Sequence, residues 1–185
     1  MNKLFTLAFV MLISVAAIAQ PENGGLSKKE LKKKIEAIQD SLSYSSAVEA
    51  LNNADFVASA DYLILKRGRA VVVSPITNFV SLSGDKAVVQ NTPYNNSPGM
   101  NGIGGITLEG RASNIKMETD KKGNVFYSMN VLGAGISALV EISLNNGSNR
   151  VSVDITQNTR SGRITLRGYL VPSEESDVYK AMPRF

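Results

Sequence analysis

The strongest constraint on this chain lies in residues 106–170, where alternating runs follow one another at short intervals. "ISALVEISL" sets Ile136, Ala138, Val140, Ile142 and Leu144 against Ser137, Leu139, Glu141 and Ser143. "RVSVDIT" then sets Val151, Val153 and Ile155 against Arg150, Ser152, Asp154 and Thr156. Period-two alternation is the mark of a strand with one buried and one wet face. Between these runs stands Asn146-Gly147, a pair whose tolerance of positive φ favours a tight hairpin. Turns this short leave only antiparallel pairing open to neighbouring strands.

The pattern extends in both directions. "VFYSMNVL" and "RITLRGYL" read as two more strands, bounded by turns at Asp120-Lys121-Lys122-Gly123-Asn124, Gly133-Ala134-Gly135 and Arg160-Ser161-Gly162. In "GITLEGRASNIKMET" the phase changes midway. Ile106 and Leu108 share a face with Gly110 and Ala112, whereas Ile115 and Met117 have the other parity. A bulge near Ser113-Asn114 is expected to return both to the core face. Upstream, "FVASADYLILKR" reads as a strand that turns at Lys66-Arg67-Gly68-Arg69. "AVVVSPITNFVSL" follows, interrupted around Pro75, and Ser83-Gly84-Asp85 turns into "KAVVQ". The predicted fold class is mostly β (α+β): an N-terminal helix, then a strongly bent antiparallel meander of about eight strands approaching a partly closed barrel.

The helix begins with a capping box. Ser27 stands three residues before Glu30, so the hydroxyl and the carboxylate can each accept from the other's backbone amide. Leu31, Ile35, Ile38 and Leu42 fall on one stripe. Tyr44, Ala47, Val48 and Leu51 fall on roughly the opposite side. The serine-rich "SLSYSS" between them either breaks the helix or separates two faces that meet different surfaces. The spacing favours one helix to about Asn53, its second half on the sheet and its first half free to present the stripe to a partner, while its basic "KKELKKKIEAIQD" residues could touch anionic lipid or a partner helix or simply be solvated. The tail "PSEESDVYKAMPRF" predicts a short terminal helix with Ser173 as its cap and acids in its first turn.

"MNKLFTLAFVMLISVAAIAQ" has the layout of a cleaved secretory signal: Lys3, an uncharged apolar run over residues 4–17, and small residues at Ala17 and Ala19 before Gln20. The run is shorter than a spanning helix, which needs about 20 apolar residues. The expected organisation is therefore a signal at 1–19, a helical segment at 20–53 and a β domain at 54–185. No transmembrane span is expected in the mature chain, and its expected location is the periplasm or the medium. The precursor carries a net charge of +4, concentrated in "SKKELKKKIEAIQD". That local cluster is no nucleic-acid stripe, and no nucleic-acid partner is expected.

The composition narrows the chemistry. The chain has no histidine and no cysteine. That removes the usual general base near neutral pH, thiol catalysis, disulfides and the commonest soft metal ligands. Glu109 and Glu141 fall at outward parity, where a solvated charge is the plain reading. Glu174, Glu175 and Asp177 lack the alternating oxygen ligands and central glycine of a calcium loop. No catalytic residue, cofactor or metal site is assigned, and no enzyme is expected.

The glycine-rich "NNSPGMNGIGGITLEGR" is the one stretch resembling a phosphate cradle. A nucleotide loop of this type needs a closing lysine and a helix behind it. Here no lysine falls in residues 95–111, and a strand follows. The glycines then serve backbone turns, or Asn101, Gly102, Gly104, Gly105 and Arg111 form a shallow binding rim, since loops on a rigid scaffold often carry binding.

Four segments together resemble a family of uncharacterised exported proteins from Bacteroidota, catalogued as a domain of unknown function. They are "DFVASADYLILKRGRAVVVSPITNFVSLSGDKAVVQ", "NGIGGITLEGRASNIK", "DKKGNVFYSMNVLGAGISALVEISL" and "RITLRGYLVPSEES". The resemblance covers about residues 55–177. It implies an exported, mostly β domain after a helical segment, and it implies no activity or site residues. Some such proteins are lipid-anchored, and the absence of cysteine departs from that pattern. Two non-enzymatic functions remain, beside an enzyme using carboxylates, which would need two acids converging in a cleft. One is a binding module that holds a small apolar or amphipathic ligand in the concavity of the sheet. The other is an envelope component that contacts a protein partner through a sheet edge or the helical stripe.

Overall fold

The computed structural model describes residues 27–92, 106–158 and 163–178. The expected signal at 1–19 lies outside them. So do most of the glycine-rich stretch, the turn at Arg160-Ser161-Gly162 and the tail beyond Val178. Helix α1 runs Lys28–Asn52 without a break. Its capping box is made in both directions: the Ser27 amide donates to Glu30 Oε2 at 2.8 Å, and the Glu30 amide donates to Ser27 Oγ at 3.3 Å. The serine-rich segment stays helical, with Ser45 Oγ donating back to the Ser41 carbonyl.

Nine antiparallel strands follow: β1 Asp55–Ile64, β2 Ala70–Val72, β3 Phe79–Ser83, β4 Lys86–Asn91, β5 Ile106–Thr119, β6 Val125–Gly133, β7 Ser137–Leu144, β8 Arg150–Gln157 and β9 Arg163–Pro172. From β3 onward each pairs with the next, and β9 pairs back on β1. Eight strands thus close into a barrel. β2 is a short extra piece on the same edge of β1 as β3: Tyr62–Ile64 pair with β2 and Asp55–Ser59 with β3. The interruption expected at Pro75 is the excursion between those two pieces. It is pinned by Asn78, whose side-chain amide donates to the Ser74 carbonyl and whose Oδ1 accepts from the Thr92 amide.

Two corners let a sheet of this size close. At Gly110 a Cβ would lie 2.2 Å from the Leu132 carbonyl oxygen, and at Gly168 it would lie 1.9 Å from that of Ser59. Only glycine lets β5 meet β6, and β9 meet β1, at that range. Bulges add to the bend. One sits between Ser113 and Lys116, with Asn114 at φ 51°. It returns Met117 to the core, but Ile115 is itself the bulged residue and is 42% exposed, so that half of the expectation is corrected. A second bulge at Asp61 shifts the parity of β1. Phe56, Ala58 and Ala60 face inward before it and Leu63 after it.

The interior is filled by side chains. Met129, Ile142, Ile155, Leu166 and Leu170 are among those with almost no exposure. Phe56 and Tyr127 meet edge to face with centroids 5.5 Å apart. Ala47, Ala50 and Leu51 of α1 are buried in the same core, and the Tyr44 hydroxyl donates to the Gly123 carbonyl in the β5–β6 turn. The second half of the helix therefore packs on the sheet as expected, and small alanines let its backbone come close. The chain after β9 forms a 3-10 turn, Ser173–Glu175, and is α-helical at Asp177 and Val178, where the described residues end. Pro172 occupies the N-cap position of the 3-10 turn, and Ser173 is buried without a capping bond, which corrects its expected role.

Candidate functional site

Among the described residues the concave side of the sheet is occupied by buried side chains. A groove of about 610 Å³ runs over the outer face of β8, β9, the far half of β1 and β2. That volume falls within the range typical of small-molecule sites.

The ladder explains which side chains meet there. Arg150 stands opposite Tyr169, and Ser152 stands opposite Arg167, which in turn stands opposite Tyr62. The Asp61 bulge is what turns Tyr62 outward into this row. Tyr62 is 45% exposed. The Arg150 guanidinium lies over the half-buried Tyr169 ring, 5.2 Å from its centroid, a cation–π contact. Gly168 forms part of the lining, and Asp61 and Asn145 add polar atoms at the margins.

The charge balance in the groove is uneven. Asp154, the acid on β8, is engaged by Arg163 and by the Thr165 hydroxyl. Its carboxylate holds Arg163 more firmly protonated than usual, first by the hydrogen bond and then by charge. Arg150 and Arg167 have no ion-pair partner among the described residues. Two guanidiniums and two tyrosine rings thus face outward, with Asp61 the one acid in the lining.

Of the candidate rim, Asn101, Gly102, Gly104 and Gly105 lie outside the described residues, as do Ala17, Ala19 and Gln20 of the cleavage site. Arg111 is exposed. It pairs opposite Lys86, at the far end of the β4–β5 ladder from Ile106, and its Nε lies 3.6 Å from Asp85 Oδ2. Glu109 and Glu141 are exposed on the strand faces. Among the described residues no group of three or more acids is placed to hold a metal ion. The sequence reading missed the groove because its members come from β1, β8 and β9, far apart in the chain. The signal available was the outward row Arg163, Thr165, Arg167 and Tyr169, read there only as a wet face.

The protein thus contains a small closed antiparallel barrel with Ala47, Ala50 and Leu51 of α1 buried in its core and a groove on its outer wall. The DUF4251 family model, a domain of unknown function, matches residues 39–170, and the chain belongs to that family. The crystal structure of a DUF4251 family protein from Bacteroides eggerthii is similar to it, with a TM-score of 0.75 and 38% identity over 80% of this chain and 99% of that one. No curated protein matches the sequence. Among the described residues no helix is long and apolar enough to cross a membrane.

Proposed function

We propose that this protein is an exported, non-enzymatic ligand-binding module whose binding surface is the outer groove. The observation that supports this reading is the coincidence of a ligand-sized groove with the exposed Tyr62, the half-buried Tyr169 and two guanidiniums that have no ion-pair partner among the described residues. Aromatic faces and fixed cations are the groups a binding site uses for area and orientation. The apolar run and small-residue site at Ala17, Ala19 and Gln20 support export. Native mass spectrometry of the mature protein, purified from its own cells, tests the binding role. The expected result is a small molecule retained near one-to-one and lost from Tyr169→Ala. Retention unchanged in Tyr169→Ala would move the ligand elsewhere and end the groove reading.

A second reading rests on the helix. Leu31, Ile35, Ile38 and Leu42 are 45%, 49%, 57% and 58% exposed. Such an apolar stripe at helical spacing supports a contact with an envelope protein. Crosslinking in intact cells from position 38 tests it: a discrete adduct is expected, and its absence removes this reading.

A further inference from the structure

The groove also carries the chemistry of its ligand. We propose that it takes an acidic saccharide chain, with carboxylates held by Arg150 and Arg167 and ring faces set against Tyr62 and Tyr169. This rests on the groove being the binding surface.

Three observations point this way. First, the two guanidiniums lack carboxylate partners among the described residues, while the neighbouring Asp154 is already taken by Arg163 and Thr165. A planar guanidinium matches a carboxylate with two parallel hydrogen bonds. Second, the cations are spaced rather than clustered. Arg150 is opposite Tyr169, two residues along β9 from Arg167. Diagonal positions of this kind lie about 7–8 Å apart. That separation fits a chain with repeated single charges better than one compact anion. The groove crosses four strands, about 14 Å at the usual strand spacing, long enough for a short oligomer.

Third, the ladder between β8, β9 and β1 beneath the groove is closed, and only the three-residue β2 at its margin keeps an outer edge. β8 pairs with β9 continuously through the groove, and β9 pairs with β1 on both sides of the Asp61 bulge. At that bulge the Asp61 carbonyl is occupied by the Val73 amide. A peptide is recognised in large part through its main chain, most readily at an open sheet edge. Over β8, β9 and β1 recognition comes from side chains: ring faces for C–H surfaces, guanidiniums for acids, and Ser152 and Asn145 for hydroxyls. A saccharide acid presents that set of groups.

The test uses the full mature chain and three probes: an oligogalacturonate, its methyl-esterified neutral form, and an acidic peptide of similar charge. Binding is followed by calorimetry and by amide chemical shifts. The oligogalacturonate should bind, with shifts centred on Tyr62 and Tyr169. Arg150→Gln and Arg167→Gln should each weaken it about tenfold or more, as loss of a charge-assisted hydrogen bond does, while Lys121→Gln on a remote turn should leave it unchanged. Binding should fade in 1 M salt, where the screening length is about 3 Å. Amide spectra show whether each variant is folded. If the neutral oligomer binds equally well in the groove, the acid requirement is overturned and the groove reading stands. If the acidic peptide binds as tightly, the saccharide assignment is overturned. If none of the probes shifts the groove at millimolar concentration, both the inference and the groove reading fall.

Discussion

On β1, β3 and β4 the outward positions include Val57, Phe79 and Val88, and the chain's own segment through Val178 lies over them. On β8, β9 and the far half of β1 the outward positions are Arg150, Ser152, Arg167, Tyr169 and Tyr62, and the groove leaves them open. The first face is a second, smaller core on the outside of the barrel. Even its polar members are enclosed: Ser81, Ser173 and Ser176 are all buried. The second face keeps the polar and aromatic mix of a surface that water or a ligand covers. A strand that is apolar on both parities implies cover on both sides. A strand that alternates cleanly leaves its outer row free for other work.

The largest expected effect tests the covered face. Phe79 is 2% exposed between the barrel wall and Val178. Phe79→Ala should cost about 3–5 kcal/mol, the usual range for emptying a buried phenylalanine site, measured as a lower urea midpoint with an unchanged slope. A loss below about 1 kcal/mol would mean that the C-terminal segment does not hold this face closed, and the contrast with the groove would collapse.

The next effect lies where the two strands under the groove cross. Gly168→Ala would place a methyl 1.9 Å from the Ser59 carbonyl oxygen and within 3 Å of two more backbone atoms. Backbone cannot swing aside as a side chain can, so β9 and β1 must part. We expect a loss of about 1–3 kcal/mol, as for overpacked interiors, with amide shifts concentrated on Ser59, Ala60 and Gly168. A neutral result would show that closure at this corner does not depend on glycine.

The covered face was partly legible in the sequence. "FVSL" is apolar at both parities around one serine, and "DFV" and the valine pair of "KAVVQ" are similarly dense. What could not be read was the cover, because Val178 is about ninety residues from Val88 and its pairing is purely tertiary. The strands themselves were legible from alternation and turn chemistry, down to the break at Pro75 and the bulge at Ser113-Asn114. Closure was not, since it depends on β1 meeting β9 and on glycines whose role appears only when two backbones approach. The Asp61 bulge left a trace in the shift from Phe56, Ala58 and Ala60 to Leu63, but a one-residue phase slip in an apolar run is easily absorbed into either parity. The groove was hidden for the same reasons, because it exists only once closure and the bulge have brought Tyr62 beside Arg167.

A third prediction separates both faces from the barrel end. Asp120 is held by Asn124, whose side-chain and backbone amides donate to its carboxylate, and by the Lys122 amide. These bonds hold its carboxyl below its ordinary value of 3.8. A folded-state pKa below the unfolded one means that the stabilisation is fully present above the ordinary value and is lost as pH falls through the folded one. Wild-type stability should therefore drop more steeply below about pH 4 than that of Asp120→Asn, measured by urea midpoints across the acid range. Phe79→Ala should keep the wild-type slope, because it does not touch this turn. An equal slope in Asp120→Asn would assign the acid response to other carboxylates.

The smallest expected effect bears most directly on what the groove is for. Tyr62 is 45% exposed, opposite Arg167, and outside the core. Tyr62→Ser should change stability by no more than about 0.5 kcal/mol, as surface substitutions away from caps and cores usually do. Phe79 and Tyr62 are both outward aromatic residues on neighbouring strands of one sheet, so a difference of several kcal/mol between them would come from cover alone. If Tyr62→Ser instead destabilises the barrel by more than about 2 kcal/mol, the ring is structural and the tyrosine row exists to brace the β1–β9 seam. If it leaves stability intact, the fold has no need of an aromatic ring at this position, and the reason for one must be sought in what the groove binds.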